Sequence, residues 1–278
     1  MSLIKQLLYN KRFIAGLILF IIPFLLGVFG PIIYPKDPLE EGACMECPPS
    51  IEHPLGTDTF GRDILAQIMH GTLSSLYVGF LAASITMAIA VAVGSIAGIK
   101  GGSKLDEVLM AITNIFMIIP SILLAIIIAA FLRQRSLELV ALVMAIPGWA
   151  SWARAIRSAI LSLREREFIY LSKMAGYSDI RIVFEDLVPN LATYIVVAII
   201  TCTSAAILGE AGLSFIGLGP TVGITLGKML YWAMSVGAYR RGLWWWWIPP
   251  GAVIVMICVS IMLISTALDE ILNPKLRR

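Results

Sequence analysis

Few residues in this 278-residue chain have the types and spacing that chemistry requires. Gly223-Ile-Thr-Leu-Gly227-Lys228 comes nearest to a phosphate loop, but it lacks the G-x-x-x-x-G-K-[ST] spacing and the hydroxyl that holds magnesium. Cys44 and Cys47 form a CMEC pair. Zinc needs four ligands, and the only histidines are His53 and His70. On an oxidising side the pair reads first as a disulfide, then as free thiols, and last as a metal half-site. Cys202 and Cys258 sit in apolar runs and read as packing residues. Glu210 directly follows one apolar run and Glu138 precedes another. An acid inside a membrane is a functional candidate, but both lie at run ends, so Glu210 reads as a cap on the Gly209–Gly212 turn. Asn114, Pro120 and Pro147 are either kinks or shapers of a pathway. No Ser-His-Asp, H-E-x-x-H or paired-carboxylate set falls in the apolar runs. The chain therefore reads as non-catalytic, with no metal or cofactor of its own.

The elements that carry these residues are membrane spans. Hydrophobic residues make up 59% and charged residues 14%, with a mean hydropathy of +0.88. The apolar residues fall in long blocks, which predicts an all-α polytopic membrane protein. No strand-period alternation is seen, so a barrel is not expected. The six predicted spans are Phe13–Tyr34, Leu73–Ile99, Val108–Leu132, Leu139–Ala153, Leu187–Gly209 and Gly242–Leu268. The fourth is short unless it continues past Arg154 on a water-facing side. Phe13–Tyr34 is longer than a signal-peptide core and reads as a retained span. Between the first two spans lies a polar loop, 35–63, followed by an amphipathic helix over Thr59–Gly71 lying along the membrane surface. Segment 210–241 reads as external and without a regular span. Trp244–Trp247 fit an interfacial aromatic belt. Three parts are expected: 1–72, a core over 73–272 containing the loop 155–186, and a tail over 273–278. Of the 21 Lys and Arg, fourteen fall on the side of the N-terminus and seven on the other. That bias places both termini in the cytoplasm. It also accounts for the net charge of +3 without nucleic acid.

One inner loop has a pattern beyond connection. Arg166–Asn190 predicts a short amphipathic helix, a glycine turn at Gly176, a second helix start, and Pro189-Asn190 at the mouth of the next span. This is the layout of a helical knob offered to a partner. The plainer alternative is an interfacial helix whose charges are solvated.

Three motifs in order resemble the C-type permease subunits of the dipeptide/oligopeptide/nickel family of ABC importers. They are His53-Pro-Leu-Gly-Thr-Asp58 with Gly61-Arg62-Asp63, Gly209 to Gly219 (GEAGLSFIGLG), and Asp269 to Arg277 (DEILNPKLR). The resemblance spans about residues 10–277. The inner loop is similar to that family's coupling loop, with Tyr170, Leu171 and Ser172 standing in place of Glu-Ala-Ala and Gly176 in register. The resemblance implies a type I importer permease fold in the cell membrane. It implies a heterodimer with a B-type permease, two cytoplasmic ATPase subunits that hold the ATP and magnesium, and an external solute-binding protein meeting loops 35–63 and 211–241. The implied ATPase-coupling residues are Glu167, Tyr170, Leu171, Ser172, Met174, Gly176, Asp179 and Pro189. Ile169, Tyr170 and Met174 would offer apolar contact, and Lys173, Arg181, Glu185 and Asp186 polar rim contacts. The implied external signature is Gly56, Thr57, Asp58, Gly61, Arg62, Asp63 and Glu210. The implied substrates are short peptides, with oligosaccharides or nickel as alternatives. A secondary transporter or channel is the competing class. It should carry mid-span acids, inverted repeats or paired broken helices, and none is read here. A membrane scaffold is a third.

Overall fold

Asn10 starts the first long helix: its side-chain oxygen accepts from the amides of Arg12 and Phe13 at 2.9 and 3.2 Å. The structure is a computed structural model that describes residues 6–7 and 9–272. The expected tail 273–278 lies outside the described residues. Helix α1 (Lys11–Ile33) buries Gly16, Pro23, Gly27 and Gly30 and turns Ile18, Ile22 and Ile32 outward. Small residues inside and bulky aliphatics outside is the pattern of a helix packed in lipid. Along this stripe α1 lies against α2 (Ile64–Ile99) and α10 (Trp244–Leu272). Arg12 and Glu270 pair across the α1–α10 contact.

Helix α2 is the centre of the bundle, packing against α5 (Leu137–Leu163), α8 (Ala192–Phe215) and α1. Its 36 residues span about 54 Å, well beyond a hydrocarbon core of about 30 Å. From Ile64 onward, the predicted surface helix over Thr59–Gly71 and the second span are thus one helix, capped where Asp63 accepts from the amide of Ala66 at 3.0 Å. An added Cβ at Gly94 would meet the Ala153 carbonyl at 2.6 Å, so only glycine allows α2 and α5 this close.

The third span is broken. Helices α3 (Lys104–Ile118) and α4 (Ser121–Phe131) meet at 86°. Pro120 lacks an amide hydrogen and pushes Ile119 into extended backbone, which ends α3. The fourth span does continue past Arg154, to Leu163. Helices α6 (Glu167–Met174) and α7 (Asp179–Ile182) follow, then a π-turn over Val183–Leu187 and a helical turn over Val188–Asn190. Helix α8 runs six residues beyond Gly209, and segment 210–241 contains a further helix, α9 (Leu226–Ser235). Among the described residues five helices are long and apolar enough to cross a membrane, and the bent α3–α4 pair makes a sixth crossing if it forms one span.

Candidate functional site

The two ends of the bundle carry the inner loop and the residues of the expected external signature. At one end, Arg164 donates to the carbonyls of Gly98 and Gly101 at 3.4 and 3.1 Å, fixing the start of the inner loop to the α2–α3 turn. Ile169 on α6 is fully buried and packs with Ile156, Ile160, Ile182 and Leu187. It is therefore the anchor of α6 rather than part of its offered face, contrary to the sequence expectation. Just past the end of α6, Gly176 has a φ of +80° that reverses the chain. The amides of Gly176 and Tyr177 donate to the carbonyls of Lys173 and Ser172 at 3.0 and 3.1 Å.

The outward face is apolar. Met174 is 86% exposed and Leu171 67%, with Tyr170, Ile180 and Phe184 beside them in exposure. Glu167 and Pro189 are exposed, while Ser172 is half-buried, with its hydroxyl bonded back to the Phe168 carbonyl at 3.2 Å. Several of the expected rim charges are already paired. Asp179 meets Lys100 at 2.6 Å, and Arg181 meets Glu185 at 2.9 Å and stacks over Tyr177. Ile180 and Phe184 were not singled out from sequence. Their positions relative to Tyr170 depend on the turn angle at Gly176, which periodicity does not encode.

The opposite end is a hydrogen-bonded cap. Cys44 and Cys47 are joined by a disulfide. The Thr57 hydroxyl donates to the Cys44 carbonyl at 2.7 Å and accepts from the Cys47 amide at 2.9 Å. Asp58 is buried. One oxygen accepts from the amides of Phe60 and Arg62, the other from the Gln67 side chain at 3.0 Å. Burial pushes its carboxyl up despite these three bonds. Asp63 is also buried, which opposes its ionisation. Bonds from the Ala66 amide, Tyr34, His53 and Lys36 outweigh that and hold it below the usual carboxylate range. Gly56 and Gly61 have φ of +72° and +74°. Arg62 lies over the rings of Phe60 and Trp232 and bonds Glu41. Arg241 of the α9–α10 turn forks onto Glu46, and the Trp245 indole donates to the Thr57 carbonyl at 3.3 Å.

Glu210 corrects the sequence reading most clearly. It caps no turn. It lies inside α8, 1% exposed, accepting from Ser214 at 2.5 Å and Thr225 at 2.7 Å. Thr225 is the N-cap of α9. The carboxylate thus ties α8 to the start of α9, a helix too short and glycine-flanked to be legible as a span. Between the two ends, α2, α4, α5 and α8 enclose an open cavity of about 290 Å³ lined by Thr86, Ser121, Ala125, Pro147, Gly148 and Gly209 among others.

Comparison with known proteins fits this layout. Residues 90–278 match the family described as binding-protein-dependent transport system inner membrane component. The chain is 31% identical to the dipeptide transport system permease protein DppC of Bacillus subtilis, over 99% of this chain and 85% of the relative. It is 35% identical to the oligopeptide transport system permease protein OppC of Mycobacterium bovis, over 78% and 75%. Among solved structures, an inward-facing form of the MetNI methionine ABC transporter aligns with a TM-score of 0.58 at 23% identity. It covers 75% of this chain and 95% of that one, a likeness of fold.

Proposed function

The chain belongs to the binding-protein-dependent transport system inner membrane components, and on that premise we propose that it is the permease subunit of an ATP-driven importer of dipeptides or oligopeptides. The peptide class rests on its likeness to the DppC and OppC permeases. In this reading both termini are cytoplasmic and the chain pairs with a B-type permease, so that the pathway lies between two chains. Two ATPase subunits hold ATP and magnesium and carry out the hydrolysis. This chain is non-catalytic and receives the resulting motion.

The observation that carries the reading is the division of labour within α6. Ile169 is locked in the core, while Tyr170, Leu171 and Met174 stand out beside it. An apolar face held rigidly outside the bundle can seat in a groove of a soluble subunit, with Glu167 and Lys173 at its rim. Because Ile169 belongs to the same buried cluster as Ile156 and Ile160 of α5, a push on α6 would reach that span through the core. Rigid-body rocking of packed helices would then open the cavity alternately to either side. The hydrogen-bonded cap offers a preformed surface to a solute-binding protein, which would deliver peptide over loops 35–63 and 211–241.

Reconstitution tests this. In proteoliposomes holding both permeases, both ATPases and the binding protein, peptide uptake should require ATP and stop when the ATPases are omitted. Uptake that persists without ATPase subunits, driven by an ion gradient, would place the chain in the secondary-transporter class instead.

A further inference from the structure

Arg154 and Arg157 lie one turn apart on α5, yet their surroundings differ. Arg157 forks onto Asp106 at 2.5 and 2.6 Å, a bidentate pair in which the carboxylate is buried. Arg154 is exposed, and its guanidinium donates to the amide oxygen of Asn114, a neutral group. Among the described residues no carboxylate pairs with it. A guanidinium stays charged in any protein environment, and an uncompensated charge in a spanning helix is rare and marks an ion or substrate path.

The position of Arg154 supports such a role. It follows Pro147, which lines the cavity, by seven residues, or about two turns and 10 Å along α5. Two turns bring a side chain back to nearly the same helix face. Asn114 lies on α3, whose break at Pro120 leads straight into the cavity-lining Ser121. The cavity lining itself carries no charged side chain. The uncharged cavity and the exposed Arg154, held by an amide, thus share the helix α5, and Asn114 lies on the helix that breaks just before the cavity-lining Ser121.

We infer that Arg154, positioned by Asn114, binds the carboxylate of the translocated solute on the inner half of the pathway. This rests on the peptide-importer reading. Every peptide with a free end carries one C-terminal carboxylate whatever its side chains, so one cation in an otherwise neutral path recognises the class without selecting a sequence. The planar fork of arginine matches a carboxylate in a bidentate way that lysine, a point charge, matches only in part.

The test uses the whole transporter in proteoliposomes, comparing uptake of trialanine with that of trialanine amide. R154Q should lower uptake of the free acid about tenfold, the scale of a lost charged hydrogen bond, and leave the amide within about twofold. R154K should retain most of the free-acid uptake, and N114A should weaken it less than R154Q does. If the binding protein delivers no amide, the contrast between R154Q and R154K on the free acid carries the result. Equal losses for acid and amide would overturn the assignment and place a partner carboxylate or lipid phosphate on Arg154; equal losses in R154Q and R154K would overturn it too, since charge would then not be what matters. Unchanged free-acid uptake in R154Q would overturn it as well. If the unsubstituted transporter carries neither peptide, the peptide reading itself falls, and this assignment with it.

Discussion

The cap and the inner loop are built in opposite ways. In the cap, the motif residues Thr57, Asp58 and Asp63 are buried and turn their polar atoms inward. In the loop, the motif positions Tyr170, Leu171 and Met174 are exposed, and the residues that hold them there, Ile169 and Ile182, are buried. A run of motif residues therefore marks two different things in one chain. At the cap it marks internal bonding that shapes a surface made by other residues. At the loop it marks the presented face itself.

Substitutions can break or sharpen that contrast. The largest effect is expected from D63A. It strands the Ala66 amide, Tyr34, His53 and Lys36 at once and should destabilise the cap by about 3 kcal/mol. Denaturant unfolding in detergent, followed by tryptophan fluorescence, reads this, because Trp245 bonds the cap directly. Glycine substitutions come next. G56A puts a side chain at φ +72° and 2.5 Å from the Cys47 carbonyl, and should cost about 2 kcal/mol. G176A meets the same backbone restriction at φ +80° but has no atom within 4 Å, so about 1 kcal/mol is expected. Equal costs at the two glycines would erase the distinction between a packed cap and a projecting loop.

The smallest effect is a pH signature. The Asp63 carboxyl is depressed in the fold, so its stabilisation is complete above the ordinary carboxylate range and disappears as pH falls through its lower folded value. Asp58, raised by burial, works in the opposite sense over neighbouring pH. The difference in unfolding midpoint between the parent and D63N isolates the first term. It should be constant down to about pH 5 and shrink below about pH 4. A gap that stays constant at low pH would mean that Asp63 acts through shape rather than charge.

The long apolar helices were legible because lipid demands long apolar blocks, and these stand out at any register. Their ends were less so. Only Ile64–Gly71 of the expected surface helix is helical, and it merges into α2 because that stretch continues in helical register without any breaker before Leu73, while Thr59–Arg62 lie before the N-cap Asp63. Pro120 was visible as a kink, but the size of the bend depends on the helices that α4 meets, namely α5 and α8. In the sequence Glu210 reads as a helix end, because an acid after an apolar run usually is one. Only the hydroxyls of Ser214 and Thr225, the second fifteen residues away, allow it to sit inside. In the loop the helix, the glycine turn and the exposed Tyr170, Leu171 and Met174 follow from local pattern. Ile169 as anchor does not, since its partners Ile156 and Ile160 belong to another helix.

Co-purification measures whether the exposed face of α6 grips an ATPase, as proposed. L171D/M174D places two charges on that face while leaving Ile169 in the core, so the folded chain should keep its thermal midpoint. This variant should lose the ATPase subunits in a pull-down of the assembled complex, while D63N should retain them. ATPase retained by L171D/M174D at the level of the unsubstituted chain would contradict the proposed grip.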